Sequence, residues 1–225
     1  MLIPLKDHNP TRTNPFVTIA IILSNAVVFF YQLSLGGRGS QFFVYQLGVI
    51  PYEVTHFTDV FPPALLPLPL TLVSAMFLHG GFTHIASNML YLWVFGNNIE
   101  DSMGHAKFVL FYLVCGIIAS VTHILADPGS KIPMIGASGA IAGVLGAYIV
   151  LYPRAYVSTL FIYLFIRVID LPASLILGFW ILIQLLYATM GGGGGVAWYA
   201  HIGGFFAGAL LIRYFARKPK RFLDE

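Results

Sequence analysis

Six long apolar segments constrain the fold of this chain more than any other feature of its sequence. They lie at about 16–34, 82–99, 107–126, 136–152, 172–190 and 196–215. A helix needs about 17–25 apolar residues to cross a bilayer, and none of these segments has an acidic residue in its central part. Only 9% of the 225 residues are charged, against about 25% in a soluble domain. The sequence therefore predicts an all-α integral membrane protein with six transmembrane helices.

The Lys and Arg residues indicate how the spans are oriented, because cytoplasmic connections carry an excess of positive charge. With the N-terminus in the cytoplasm, 10 of the 12 Lys and Arg residues lie inside, and Arg38 and Lys131 lie outside. Residues 1–225 are predicted to form a single membrane domain with short cytoplasmic tails at about 1–15 and 216–225. Since no cleavage site follows the first span and no Arg/Ser-rich leader precedes it, we expect a multi-pass protein of a prokaryotic plasma (inner) membrane.

Three connections have distinctive sequences. The first loop, 35–81, is predicted to be long and external, and its prolines are expected to keep 61–70 from forming a regular helix. Segment 156–166 is apolar but has only 11 residues, so it is predicted to lie in the membrane interface between spans 4 and 5. The glycine run 191–195 precedes span 6, where a mobile lid and a plain flexible turn are both open interpretations.

Five polar side chains are predicted to share one depth, near the outer ends of the three inward-running spans. They are His79, His84, Asn88, Ser138 and His201. Polar groups inside a membrane are costly and tend to face a cavity or one another. We therefore expect these side chains to meet, although they come from three separate segments.

Small residues spaced four apart let two membrane helices approach closely. Spans 4 and 6 carry such pairs, which are Gly139 with Gly143 and Gly204 with Gly208. If these faces meet, Ser138 and His201 face each other one turn above the glycines. A histidine nitrogen within hydrogen-bond reach of a serine hydroxyl is the pair required for nucleophilic catalysis.

Acyl transfer also requires hydrogen-bond donors for the oxyanion that develops in the transition state. Ser138 lies at the start of a helix, where backbone N–H groups have no partner within the helix. His84 and Asn88 are four residues apart and share a helix face, so both side chains could donate. Because Asp59 and Asp127 are predicted to lie on outer loops, the simplest interpretation is a Ser–His dyad without a third carboxylate.

Three motifs carry a family resemblance. GASG around Ser138, HGGFTHIASN at 79–88 and AHIGGFFAG around His201 together resemble a rhomboid intramembrane serine protease of the six-span prokaryotic form. The resemblance covers nearly the whole chain, and NNIEDSMG, with Glu100 and Gly104, also resembles a feature of the family. The resemblance implies a rhomboid-like bundle of helices. It also implies that the protein cleaves other membrane proteins at small or helix-breaking residues near the outer face, and that it uses no metal or cofactor.

The resemblance also implies a role for each residue of the motifs. Ser138 would be the nucleophile and His201 the general base and then the general acid. His84, Asn88 and the Ser138 N–H would form the oxyanion hole. The supporting residues would be His79, Gly136 and Gly139, with helix packing by Gly143, Gly204 and Gly208.

The sequence departs from the family pattern at two places. Well-known bacterial members have an aromatic residue, against which the base histidine stacks, at the position of Ala142. Trp198 and Tyr199 are the nearby candidates for holding that ring instead. Many members also carry a Trp-Arg pair where this chain has Leu70 and Thr71, so the first loop is expected to be anchored differently.

Three other function classes were weighed against proteolysis. An inactive rhomboid-like scaffold that binds membrane helices would usually lack the serine or the histidine. This chain has both, and Ala142 is the one feature that favours the scaffold. A proton or ion transporter would carry intramembrane carboxylates or matched broken helices, and neither is evident. A zinc protease using His79, His84 and His201 would need metal-ligand spacing, but the sequence has no H-E-x-x-H motif. The expected partners are therefore transmembrane substrates and the bilayer, not nucleic acid.

Overall fold

The computed structural model describes residues 2–60, 62–162, 166–191 and 195–217. Its helices are α1 Phe16–Ser34, α2 Gly36–Leu47, α3 Pro51–His56, α4 Leu68–Ser74, α5 Phe82–Met103, α6 His105–Ala126, α7 Ser138–Leu151, α8 Ala173–Thr189 and α9 Trp198–Phe215. A 3₁₀ turn, Ala75–Phe77, follows α4. Helices α1 and α5–α9 coincide with the six apolar segments, so the chain is a mostly helical membrane protein.

Length and hydropathy alone qualify fewer helices as spans than the sequence predicts. In the described part of the chain, α1 and α6 pass both criteria, and α5 passes when it is joined to Leu68–Phe77 across a bend of 86°. Helices α7 and α8 are shorter apolar helices. The count of six spans therefore stays a prediction.

Helix α7 forms the centre of the bundle, and its side chains are buried without interruption from Gly139 to Tyr148. A helix that is apolar all round belongs in a core. Its closest neighbour is α9, where the backbones approach so nearly that a Cβ atom at Gly208 would overlap the Gly143 carbonyl. A Cβ at Gly204 would likewise overlap the carbonyl of Gly139. The structure thus brings the four packing glycines together.

Helices α5 and α6 meet at Gly104, whose φ of +88° suits glycine. One turn earlier, the Glu100 side chain is fully buried and accepts hydrogen bonds from the backbone N–H of Val17 at 2.9 Å and of Thr18 at 2.8 Å. His105 Nδ1 lies 2.5 Å from the same carboxylate. Glu100 therefore satisfies orphan donors at the start of α1 and holds α1, α5 and α6 together.

The all-α prediction is wrong at the end of the bundle where α7 finishes. A three-stranded antiparallel sheet lies there, in the order β1–β2–β3, formed by Leu2–Asp7, Tyr156–Ile162 and Ile166–Pro172. Leu2 pairs with Phe161, and Tyr156 pairs with Pro172. Segment YVSTLFI is rich in β-branched and aromatic residues, and pairing satisfies its backbone. Residues 2–7 are therefore a strand and not part of an unstructured tail.

The first loop contains three short helices, α2, α3 and α4. Pro69 falls in the first turn of α4, where a missing N–H costs nothing, so the expected exclusion of helix from 61–70 fails for its last three residues. Ser74 Oγ donates to the Leu47 carbonyl at 2.6 Å, and Val49 forms a β-bridge with Met134. The first contact ties two parts of the loop together, and the second holds the loop against the connection that leads into α7.

Asp7 is expected to make stability depend on pH. Tyr148 donates a hydrogen bond of 2.9 Å to Asp7, but burial outweighs it and raises the carboxyl pKa above 3.8. The folded protein keeps this proton where the unfolded chain has lost it, so stability falls as pH rises from 3.8 through the raised pKa. Asp7→Asn keeps an acceptor for Tyr148 and should flatten this dependence, with a gain of roughly 2–4 °C above that window.

The measurement is the melting temperature in detergent between pH 4 and pH 8. Equal slopes for Asp7→Asn and the wild type would contradict the prediction.

Candidate active site

A serine and a histidine meet at the end of the bundle where α7 and α9 begin. We call this end the site end. Ser138 is the first residue of α7, and His201 lies in the first turn of α9. His201 Nε2 is 2.8 Å from Ser138 Oγ. Both side chains are only partly buried, so the pair can be reached from outside the bundle. The close helix contact at Gly204 lies one turn below and sets this distance.

A third residue, Gln184 of α8, contacts the far side of the His201 ring. Gln184 Oε1 lies 2.7 Å from His201 Nδ1, and Gln184 Nε2 donates to the Trp180 carbonyl at 3.1 Å. Gln184 is a side chain that sequence reasoning missed. A signal existed, because it is the one strongly polar side chain within an otherwise apolar helix, ASLILGFWILIQLLYAT, and such residues tend to face the bundle interior.

Two tryptophans flank the histidine ring. The ring centroid of Trp180 lies 5.7 Å from that of His201, at an interplanar angle of 37°, and Trp198 is edge-on at 6.2 Å. Tyr199, the other candidate, instead donates its hydroxyl to the Ala188 carbonyl at 3.2 Å. Ala142 packs towards the backbone of Gly204, where α7 and α9 touch. Aromatic contacts to the ring therefore come from α8 and α9 and not from α7.

Two further polar side chains converge on Gly136, two residues before Ser138. A Cβ atom added at Gly136 would lie 2.7 Å from His84 Nε2 and 3.8 Å from Asn88 Nδ2. Gly136 has a φ of +117°, a conformation that favours glycine. The lack of space for a Cβ atom and the positive φ together explain why a glycine occupies this position.

The hydrogen bonds of His84 determine which of its nitrogens can donate. The Gly80 N–H donates to His84 Nδ1 at 3.3 Å, so in the neutral ring the proton is on Nε2, which faces Gly136. Asn88 is 6% exposed, and its Nδ2 has no hydrogen-bond partner within residues 2–60, 62–162, 166–191 and 195–217. An unsatisfied buried donor close to Gly136, two residues before the serine, is a candidate for binding developing negative charge.

His79 lies behind these donors. It is fully buried, and its ring meets that of His84 edge-on, with centroids 5.0 Å apart. Gln32 of α1 donates to the His79 carbonyl at 2.8 Å. Neither ring nitrogen of His79 has a partner among the residues that the structure describes. The geometry places the His79 ring against that of His84, and its supporting role stays a prediction.

A small cavity of about 20 Å³ adjoins Ser138, which is space for about one water molecule. Most of the lining residues are small, among them Gly116, Ala119, Ser120, Gly139 and Ala200. Residues 192–194 of the glycine run, for which a mobile lid and a plain flexible turn are both open interpretations, lie outside the described residues.

The fold and this site define a helical membrane protein with a serine–histidine pair at the mouth of its central helices. Residues 69–218 match the family described as the Rhomboid domain. That match covers more than half of the chain, and the chain belongs to the rhomboid family. The resemblance that the motifs carry is thereby confirmed.

Several relatives support the same assignment. The Rhomboid protease GluP of Bacillus subtilis (strain 168) is 36% identical over 146 residues, which are 62% of this chain and 25% of that protein. The mitochondrial Rhomboid protein 1 of Saccharomyces cerevisiae is 28% identical over 161 residues, or 68% of this chain and 43% of that protein. RHOMBOID-like protein 5 of Arabidopsis thaliana is 37% identical over 76 residues, 34% of this chain and 25% of that protein. The chain thus spans less than half the length of each of these relatives.

Proposed function

We propose that this chain is an intramembrane serine endopeptidase that hydrolyses peptide bonds in or near the transmembrane helices of other membrane proteins. The observation that carries the proposal is the 2.8 Å contact between Ser138 Oγ and His201 Nε2. Membership of the rhomboid family and similarity to a bacterial protein named as a rhomboid protease support it. The activity needs no cofactor, because the nucleophile, the base and the oxyanion donors are all side-chain or backbone groups.

In the proposed reaction, Ser138 Oγ attacks the scissile carbonyl carbon while His201 Nε2 takes the hydroxyl proton. The oxyanion accepts hydrogen bonds from the Ser138 N–H, His84 Nε2 and Asn88 Nδ2. The C–N bond then breaks, and His201 passes its proton to the leaving amine. In the second half, a water molecule loses a proton to His201 and attacks the acyl-serine ester. The ester C–O bond breaks, the carboxylic acid leaves, and His201 returns the proton to Ser138 Oγ.

The proposed orientation puts the site end towards the outer face of a prokaryotic plasma membrane. The opposite end of the bundle, which holds the three-stranded sheet and carries Arg154 and Arg167, would then face the cytoplasm, as the distribution of Lys and Arg predicts. A transmembrane substrate would present its outer end to Ser138, with residues 1–225 acting as one membrane domain of six spans. Small side chains beside the scissile bond would suit the narrow cavity next to Ser138.

The alternative is an inactive rhomboid-like scaffold that binds membrane helices. Ala142 is the feature that suggested it, because an alanine cannot stack against the base histidine. Trp180 and Trp198 contact that ring from other helices, so Ala142 no longer argues for inactivity. The Ser–His contact therefore favours the protease.

The proposal is tested with purified protein in liposomes and a set of single-span substrates. We expect cleavage near the outer end of the span, with the position read by mass spectrometry of both products. Ser138→Ala protein, prepared in parallel, should give no products. Binding of several substrates without cleavage by the wild type would instead support the scaffold.

The oxyanion donors lead to a separate prediction. Asn88→Ala should lower kcat by roughly 10²–10³-fold, the usual loss for one donor, with a much smaller change in KM. His84→Ala should have a similar effect. Asn97→Ala is the matched control, since Asn97 lies on the same helix but bonds to the adjacent Asn98 N–H. A kcat of Asn88→Ala within about twofold of the control would refute the role of Asn88.

A further inference from the structure

We propose that Gln184 is the positioning residue for His201, so that the working site is a Ser–His–Gln chain assembled from α7, α9 and α8. This inference rests on the proposed function. Its geometric basis is a continuous line of hydrogen bonds from Ser138 Oγ through both ring nitrogens of His201 to Gln184 Oε1, with distances of 2.8 and 2.7 Å. It assigns a role to a residue outside the motifs that identify the family.

The orientation of the Gln184 amide follows from its second contact. Its nitrogen donates to the Trp180 carbonyl at 3.1 Å, and a carbonyl oxygen can only accept. The amide oxygen must therefore face the histidine. Since Gln184 is 5% exposed, water does not compete for this arrangement.

An amide oxygen opposite Nδ1 selects one tautomer of the neutral ring. Nδ1 must carry the proton, which leaves the Nε2 lone pair free to accept the Ser138 hydroxyl proton. With the other tautomer, Nε2 would donate to Ser138 and could not act as the base. Gln184 thus supplies the orienting part of a triad, and cysteine proteases with a Cys-His-Asn arrangement use an amide in the same way.

Unlike a carboxylate, the Gln184 amide carries no negative charge. A buried charge in an apolar helix is costly, and glutamine avoids that cost, but it offers no negative charge to the imidazolium that forms during catalysis. The loss expected on removing Gln184 is therefore smaller than the roughly 10⁴-fold loss associated with a triad carboxylate.

A purely structural role is the competing explanation, since a polar side chain between membrane helices also contributes to packing. Such a role would change the melting temperature but leave the pH dependence and the ring tautomer unchanged. The kinetic and spectroscopic readouts below separate the two roles.

Gln184→Leu removes the acceptor while keeping a similar volume. We expect kcat in the liposome assay to fall roughly 10²-fold, with KM within about twofold. Thr189→Val is the matched control, because Thr189 is an exposed residue of the same helix whose hydroxyl bonds to the Leu186 carbonyl. A wild-type kcat in Gln184→Leu would overturn the proposal, as would an equal loss in Thr189→Val.

Gln184→Glu provides the rescue. It restores an acceptor and adds a charge that favours the protonated ring, so kcat should recover at high pH while the acidic limb of the pH–rate profile moves to higher pH. The other titratable side chains that interact electrostatically with His201 in the described part of the chain are His84 and His123, and both are unchanged in the variant. A profile identical to that of the wild type would count against contact between position 184 and the base.

Nitrogen NMR of ¹⁵N-histidine-labelled protein in detergent tests the tautomer without any substrate. The His201 signals, assigned by comparison with His201→Ala, should show a protonated Nδ1 in the wild type and a tautomer mixture in Gln184→Leu. A single, unchanged tautomer in Gln184→Leu would overturn the proposal. Because this readout does not need cleavage, a failure of the Gln184 proposal can be distinguished from a failure of the proposed function, which the Ser138→Ala experiment tests.

Discussion

Ser138→Ala is expected to lower the rate of transmembrane-substrate cleavage by at least about 10⁴-fold, and His201→Ala by a similar factor. Without the hydroxyl no acyl-serine ester can form, and without the imidazole Ser138 Oγ loses the base that would accept its proton. Because the two residues act as one unit, the double variant should be scarcely slower than either single variant.

The measurement is product formation in liposomes, together with labelling of the wild type by a fluorophosphonate probe that reacts with activated serines. Ser102→Ala is the matched control, since Ser102 lies at the opposite end of α5 and bonds to the Ile99 carbonyl. It should keep wild-type cleavage and labelling. Cleavage that survives Ser138→Ala would mean that another residue is the nucleophile.

The second large effect is expected at the contact between α7 and α9. A Cβ atom at Gly208 would overlap the backbone of Gly143, and backbone cannot move aside as the end of a flexible side chain can. Gly208→Ala should therefore push the helices apart. Overpacking of this kind costs about 1–3 kcal/mol, which corresponds to a fall of roughly 2–12 °C in melting temperature.

In Gly208→Ala, the cleavage rate should fall by more than the loss of stability alone would explain. The same contact sets the spacing between Ser138 and His201, and a displacement of about 1 Å can cost roughly 10²-fold in rate. Gly178→Ala is the matched control, because nothing lies within 4 Å of a Cβ at that helical glycine, and alanine should stabilise α8 slightly. Equal melting temperatures for the two variants would show that α7 and α9 are not in backbone contact.

Much of the site could be predicted because its residues stand out from an apolar background. His84, Asn88, Ser138 and His201 are polar groups at the mouths of membrane helices, and the alternating direction of the spans sets their common depth. The glycines of α7 and α9 then indicated which helices touch. The donor tautomer of His84, by contrast, depends on the Gly80 N–H, a contact that spacing does not reveal.

The sequence by itself determined the positions of the six long helices, since hydropathy is a local property that each segment carries alone. Only the tertiary structure decided which segments and side chains contact one another. The pairing of Leu2 with Phe161 joins residues distant in the chain, and strand pairing depends on a partner that neither segment specifies. The contact of Gln184 with His201 depends on how α8 is rotated about its axis beside α9. An apolar helix surrounded by lipid and protein has little hydrophobic periodicity, so its sequence does not indicate which face points towards its neighbour. Packing alone sets that rotation.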